Sequence, residues 1–223
     1  MGAQLDREGY LTRWQDLHGG YDPRAGSVVL RGWLTVVYVL ARPLARAGVH
    51  PDLVTLSSGG LAGVVVGLSE LGGRWWIAAG CAVAASGLLD GIDGCVAVLQ
   101  DRTTRWGYVL DSLVDRVSES LFLVAVVAVG CPVWLAVACG FGCFLLEYLR
   151  ARAGNAGGDD VGRITMAERS TRVILLALSI LVSGLLPGRA DTVSALGPAV
   201  LLAMTAVAVV QLGIDVRRRL VSL

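Results

Sequence analysis

The stretch DGIDGCVAVLQDRTTRWGYVLDSLVDR, residues 90–116, decides how this chain is read. Asp90 and Asp93 stand three residues apart, and Asp111 and Asp115 four apart, so on helices each pair shares one face. Both pairs adjoin strongly apolar sequence: residues 75–89 and 120–146 carry no charge. A charged side chain within a membrane span costs at least ~2.5 kcal/mol on insertion scales. Four carboxylates at such positions are therefore there for a chemical reason.

Working outward, the composition fixes the class. Of 223 residues 55% are hydrophobic and only 17% charged, with a net charge of +1. A soluble domain carries about a quarter charged residues, and a mean hydropathy of +0.66 lies outside that class. The near-even charge balance argues against a nucleic-acid partner. Five cysteines, all in apolar stretches without metal-type spacing, argue against zinc sites and disulfide frameworks. The chain reads as an all-α polytopic membrane protein.

A spanning helix takes roughly 20 apolar residues. Candidate spans are 53–69, 75 to about 98, about 106–130, 132–152, 173–188 and 192–214, with Gly130-Cys131-Pro132 breaking the long apolar run. The segment 28–47 is apolar but interrupted by Arg31, Arg42 and Arg46, which suits an interfacial amphipathic helix. The expectation is six transmembrane helices preceded by that interfacial helix. Residues 1–27 form a polar cytoplasmic segment and 28–223 a single membrane domain. The chain has no lysine. In this scheme sixteen arginines, Arg163 among them, fall on the side of the termini and two, Arg74 and Arg189, on the other. The positive-inside rule then places the termini and the loops 99–106 and 151–170 in the cytoplasm of a cell-membrane protein.

The second and third spans form a hairpin through residues 99–106, so their acidic faces are neighbours. Gly94 follows Asp90 by four residues and Gly107 precedes Asp111 by four, which lets a ligand approach the backbone beside the acids. Four carboxylates at one depth repel unless a cation lies between them. Mg²⁺ takes oxygen ligands and completes its shell with water and substrate phosphates. Residue type and spacing thus point to phosphoryl chemistry, with one carboxylate able to accept a proton from an attacking hydroxyl.

The stretch Asp90-Gly-Ile-Asp93-Gly94-Cys-Val-Ala97, followed by Gly107-Tyr-Val-Leu-Asp111-Ser-Leu-Val-Asp115, resembles the signature of the CDP-alcohol phosphatidyltransferases, D-x2-D-G-x2-A-R then G-x3-D-x3-D. His50-Pro51-Asp52-Leu-Val-Thr55, Thr103-Thr104-Arg105-Trp106-Gly107, Tyr148-Leu-Arg150-Ala-Arg152 and Ala167-Glu168-Arg169-Ser-Thr-Arg172 look most like the bacterial phosphatidylinositol-phosphate synthase branch. The resemblance covers about 28–214 and implies a six-helix, homodimeric fold. It implies transfer of a phosphatidyl group from CDP-diacylglycerol to an alcohol hydroxyl, with release of CMP, in phospholipid biosynthesis. Carried over, Asp90, Asp93, Asp111 and Asp115 hold two Mg²⁺ (or Mn²⁺) ions, and Asp115 is also the proton acceptor. Asp52, Thr55, Gly94, Ala97, Thr104, Arg105 and Gly107 lie at the donor. Arg150, Arg152, Arg169 and Arg172 are candidates for an acceptor phosphate, to which arginine's fork is suited.

One position departs from the pattern. Val98 stands where the family has arginine, which leaves open an inactive family member, with Arg102 and Arg105 as alternative sources of charge. Intramembrane acids also suit a cation or proton transporter, but no charged path to the opposite face and no inverted repeat accompany them. Glu119 is read as pocket lining or as a partner of Arg116, and Glu147 as a partner of Arg150. Cys139 and Cys143 are read as packing residues, Ser57-Ser58-Gly59-Gly60 as close helix packing, and His18 and His50 as surface residues.

Overall fold

The computed structural model describes residues 5–17, 19–156 and 167–221. His18 and Arg163, and with Arg163 most of the loop 151–170, fall outside them. Every regular element among the described residues is helical: α1 (Arg7–Leu17), α2 (Val28–Arg46), α3 (Pro51–Glu70), α4 (Trp75–Leu99), α5 (Arg105–Val129), α6 (Val133–Asn155), α7 (Arg169–Leu185), a 3₁₀ turn (Pro187–Arg189) and α8 (Ala190–Val221). The boundaries follow local chemistry. Gly130 takes φ +136°, closed to a side chain, and ends α5 ahead of Pro132. Pro187 ends the α7 run. The helix after it continues past Asp215, the end of the uncharged run, because a helix leaving an apolar layer has no reason to stop at its first charge.

Among the described residues, five stretches are long and apolar enough to cross a bilayer: α2, α3, α4, α6 and Pro187–Arg218. The segment expected to lie in the interface, α2, is thus among them. Two other expected spans are not. α5 carries Asp115, Arg116 and Glu119 in its otherwise apolar half, and α7 has only 17 residues.

The chain divides into two compact units, Met1–Gly60 with Ala85–Asp115, and Leu61–Ala84 with Arg116–Leu223. The first is built around α2. Leu34, Val37, Tyr38, Ala41 and Ala45 form a helical stripe that is buried with Val54 of α3 and Ile92, Cys95, Val96 and Val98 of α4. The N-terminal segment also contributes. Asp6 caps α1 by accepting from the Gly9 N–H at 2.7 Å, and Tyr10 and Leu11 are buried in the same cluster. α3 and α4 approach closely at Ser58, which is wholly buried and whose carbonyl accepts the Ser86 hydroxyl at 3.0 Å. A Cβ on Gly59 would lie 3.0 Å from Val114, so this serine–glycine run packs helices tightly.

In the second unit the core gathers Val65, Val83, Phe122, Val126, Cys139, Cys143, Leu176, Ile180 and Leu201. Cys139 and Cys143 are packing residues here. Glycine lets α4 and α7 touch backbone to backbone: a Cβ on Gly80 would fall 2.7 Å from the Leu181 nitrogen, and one on Gly184 equally close to the Ile77 nitrogen. Such contacts hold helices together where lipid provides no hydrophobic contrast.

Candidate active site

The first unit holds a cavity of about 940 Å³. Its acidic part is formed by the C-terminal half of α4 and the start of α5. Asp90, Asp93 and Asp111 each bring a carboxylate oxygen within 4.8 Å of the others. Asp93 is buried, and Asp90 and Asp111 are partly so. Three hard oxygen donors converging in this way match a divalent cation such as Mg²⁺ or Mn²⁺, which would relieve their mutual repulsion. Asp115 is buried one turn beyond Asp111 on α5.

Asp93 is held from two directions. The Thr55 hydroxyl of α3 donates to its Oδ2 at 2.6 Å, and the Gly94 N–H donates to its Oδ1 at 2.5 Å. Threonine suits the place because its hydroxyl can serve a neighbouring helix while the methyl stays in a packed layer; Thr55 is only 5% exposed. Gly94 has open space where a side chain would be, so its backbone faces the cavity directly.

Arg102, Thr103 and Thr104 of the α4–α5 connection also line the cavity. Asp101 adopts φ 52°, a left-handed turn that aspartate tolerates better than most residues. The Gln100 amide donates to the carbonyls of Ala45 and Val49 at 3.2 and 2.9 Å, tying the end of α4 to the end of α2. Thr104 caps α5 by accepting the Gly107 N–H at 2.9 Å. A Cβ on Gly107 would come within 3.2 Å of the Thr104 hydroxyl and 4.0 Å of Asp52. Glycine thus keeps this corner open.

The residues that sequence reasoning singled out are therefore placed as follows. Asp52, Thr55, Asp90, Asp93, Gly94, Ala97, Thr104, Arg105, Gly107 and Asp111 all line the one cavity. Arg102 and Val98 line it too. Tyr10, Trp14 and Leu17 of α1 also line it, and these were not singled out. Their spacing of four and then three residues was the available signal.

The four candidate acceptor arginines belong to the second unit. Arg172 is completely buried: Nε donates to the Ala167 carbonyl at 2.8 Å, Nη1 to both Glu119 oxygens at 3.3 Å, and Nη2 to Glu147 at 2.5 Å. Glu119 also pairs with Arg116 at 2.8 Å. Arg150 bridges Glu147 at 3.3 Å and Glu168 at 2.6 Å. Arg152 is exposed near the end of α6, and Arg169 is partly buried at the start of α7.

The CDP-alcohol phosphatidyltransferase profile matches residues 48–213, most of the chain and all of the acidic motif. The chain belongs to that family. Its members are divalent-metal-dependent transferases of phospholipid biosynthesis, and the carboxylate cluster fits such an ion. The chain is 31% identical over 147 residues to the archaetidylinositol phosphate synthase of Aeropyrum pernix, covering 65% of this chain and 66% of that one. It is 32% identical over 158 residues to the phosphatidylinositol phosphate synthase of Mycolicibacterium smegmatis, covering 62% and 66%. These matches span about two thirds of the curated relatives' length. Among solved structures, the phosphatidylinositol phosphate synthase of Mycobacterium tuberculosis with CDP-DAG bound aligns with a TM-score of 0.65 at 25% identity, over 82% of this chain and 94% of that one. The same enzyme in complex with manganese and citrate aligns with a TM-score of 0.66, over 81% and 88%.

Proposed function

We propose that this protein transfers a phosphatidyl group from CDP-diacylglycerol to the hydroxyl of a small alcohol, releasing CMP, and that the alcohol is an inositol phosphate. The observation that carries the reading is the convergence of Asp90, Asp93 and Asp111 in one cavity, within a chain of this family. The names of the relatives and the CDP-DAG bound to a structural neighbour support the donor and the acceptor class.

Asp90, Asp93, Asp111 and Asp115 would hold the divalent ions. When bound, these ions neutralise charge on the diphosphate as it is displaced. The chain's own residues do the rest. Asp52, Thr55, Gly94, Ala97, Thr104, Arg105 and Gly107 hold the nucleotide end of the donor, with Arg102 and Arg105 supplying the positive charge that Val98 does not. The acceptor oxygen attacks the phosphatidyl phosphorus, the bond from that phosphorus to the CMP oxygen breaks, and the hydroxyl proton passes to Asp115. Arg150, Arg152 and Arg169 receive the acceptor's phosphate, while Arg172 holds the helices that carry them. Six spans and a homodimer in the cell membrane complete the proposal, with the site on the cytoplasmic side, an orientation supported by sixteen arginines against two in that scheme.

The test is CMP release by purified protein with CDP-diacylglycerol, Mg²⁺ and a panel of alcohols. Fastest release with inositol phosphate is expected. Release with another alcohol alone would replace the acceptor, and no release from any would support the inactive reading that Val98 raises.

A further inference from the structure

We infer that α1, which lies outside the family-matched residues 48–213, completes the donor site, with Trp14 offering its ring to the cytosine base. The inference rests on the donor proposed above. Asp90, Gly94 and Val98 follow one another at intervals of four along α4. At 1.5 Å per residue the cavity therefore runs about 12 Å from the carboxylates toward the end of that helix. α1 lies along that far end. Its Tyr10 and Leu11 share a buried cluster with Cys95, Val98 and Leu99, and Arg13 approaches Asp101 at 3.8 Å. A diphosphate at the carboxylates would thus extend its nucleoside toward α1.

The helix is fixed firmly enough to act as a wall. Arg7 donates to Thr35 of α2 at 3.1 Å. Arg24 donates to the Glu8 carboxylate and to the Thr12 hydroxyl, both at 2.9 Å. The ring of Tyr10 stacks on that of Tyr38 at 5.7 Å. Burial raises the Tyr10 phenol far above its ordinary pKa, so it stays neutral. Trp14 is half-buried, lines the cavity, and is held edge-on by Tyr21 at 6.4 Å. The outer face of α1 carries Glu8, Thr12, Arg13 and Asp16, all exposed or partly so. That polar face belongs in water, which makes Trp14 a neighbour of the base and not of the acyl chains. Val98, where the family pattern has arginine, shares that buried cluster with Tyr10 and Leu11.

The test compares wild type, Trp14→Ala and Trp14→Phe, measuring turnover of CDP-diacylglycerol and inhibition by CMP, which has the base but no lipid. Base–aromatic stacking is worth ~1–3 kcal/mol by alanine substitution, and each 1.4 kcal/mol is tenfold. Trp14→Ala should raise the donor KM and the CMP inhibition constant together, by roughly five- to a hundredfold, leave the acceptor KM in place, and be largely rescued by phenylalanine. A raised donor KM with an unmoved CMP constant would assign α1 to the lipid and overturn the inference. So would wild-type turnover with neither value moved in Trp14→Ala; the donor reading would then still stand. Wild-type protein that neither releases CMP nor binds it overturns both.

Discussion

The Thr55 hydroxyl donates to the Asp93 carboxylate at 2.6 Å, linking α3 to the acid motif of α4. This bond is buried and goes to a charged group, where a hydrogen bond is worth ~1.5–3 kcal/mol. Thr55→Val keeps the shape and deletes the bond. Activity should fall by roughly ten- to a hundredfold, and the Mg²⁺ concentration giving half-maximal rate should rise. A metal titration of CMP release, with circular dichroism as a folding control, reads both.

Asp115 lies one turn beyond Asp111 and is buried. If it takes the proton from the acceptor, Asp115→Asn should lower turnover by at least ~100-fold, the smaller end of general-base contributions. Binding of CDP-diacylglycerol should survive, since Asp90, Asp93 and Asp111 remain clustered. Rapid CMP release by this variant would move the base elsewhere.

Helix positions were legible in the sequence because apolar runs and their breakers say where a chain can enter and leave a bilayer. The convergence of Asp90, Asp93 and Asp111 was legible because their spacing is set by helical geometry. Three features were not. The first is α1: polar composition hides a stripe of Tyr10, Trp14 and Leu17 too short to register against the background. The second is the Arg172 network, whose partners lie 53 and 25 residues away along the chain. Arginines near a cytoplasmic loop read as topology signals or ligands, and only packing distinguishes one that is buried from one that is exposed. The third is how α2 meets the bilayer: its arginines suit the interface and its length and apolarity suit a span, and composition alone does not choose.

Removal of divalent metal should abolish activity, because Asp90, Asp93 and Asp111 then face one another uncompensated. Chelation with EDTA followed by re-addition should restore turnover with Mg²⁺ or Mn²⁺. Ca²⁺, which prefers longer bonds and more ligands, should bind without restoring it. Neutralising Asp111 to asparagine should weaken Mn²⁺ binding, measurable by electron paramagnetic resonance independently of turnover. Unchanged Mn²⁺ affinity in that variant would mean the ion is held elsewhere.

Arg172 and Arg152 should separate cleanly by stability. Arg172 is wholly buried against Glu119 and Glu147, and removing one partner of a buried ion pair costs ~3–5 kcal/mol because the other charge is stranded. Arg172→Ala should therefore lower the melting temperature in detergent markedly, and Glu119→Gln should do so less, since its amide can still accept from the guanidinium. Arg152 is exposed, so Arg152→Ala should leave the melting temperature within a degree or two, surface changes being usually within ±0.5 kcal/mol. Its effect should appear instead as a raised KM for inositol phosphate, at unchanged donor KM. An Arg172→Ala protein that melts like wild type but has lost acceptor affinity would reverse the two roles.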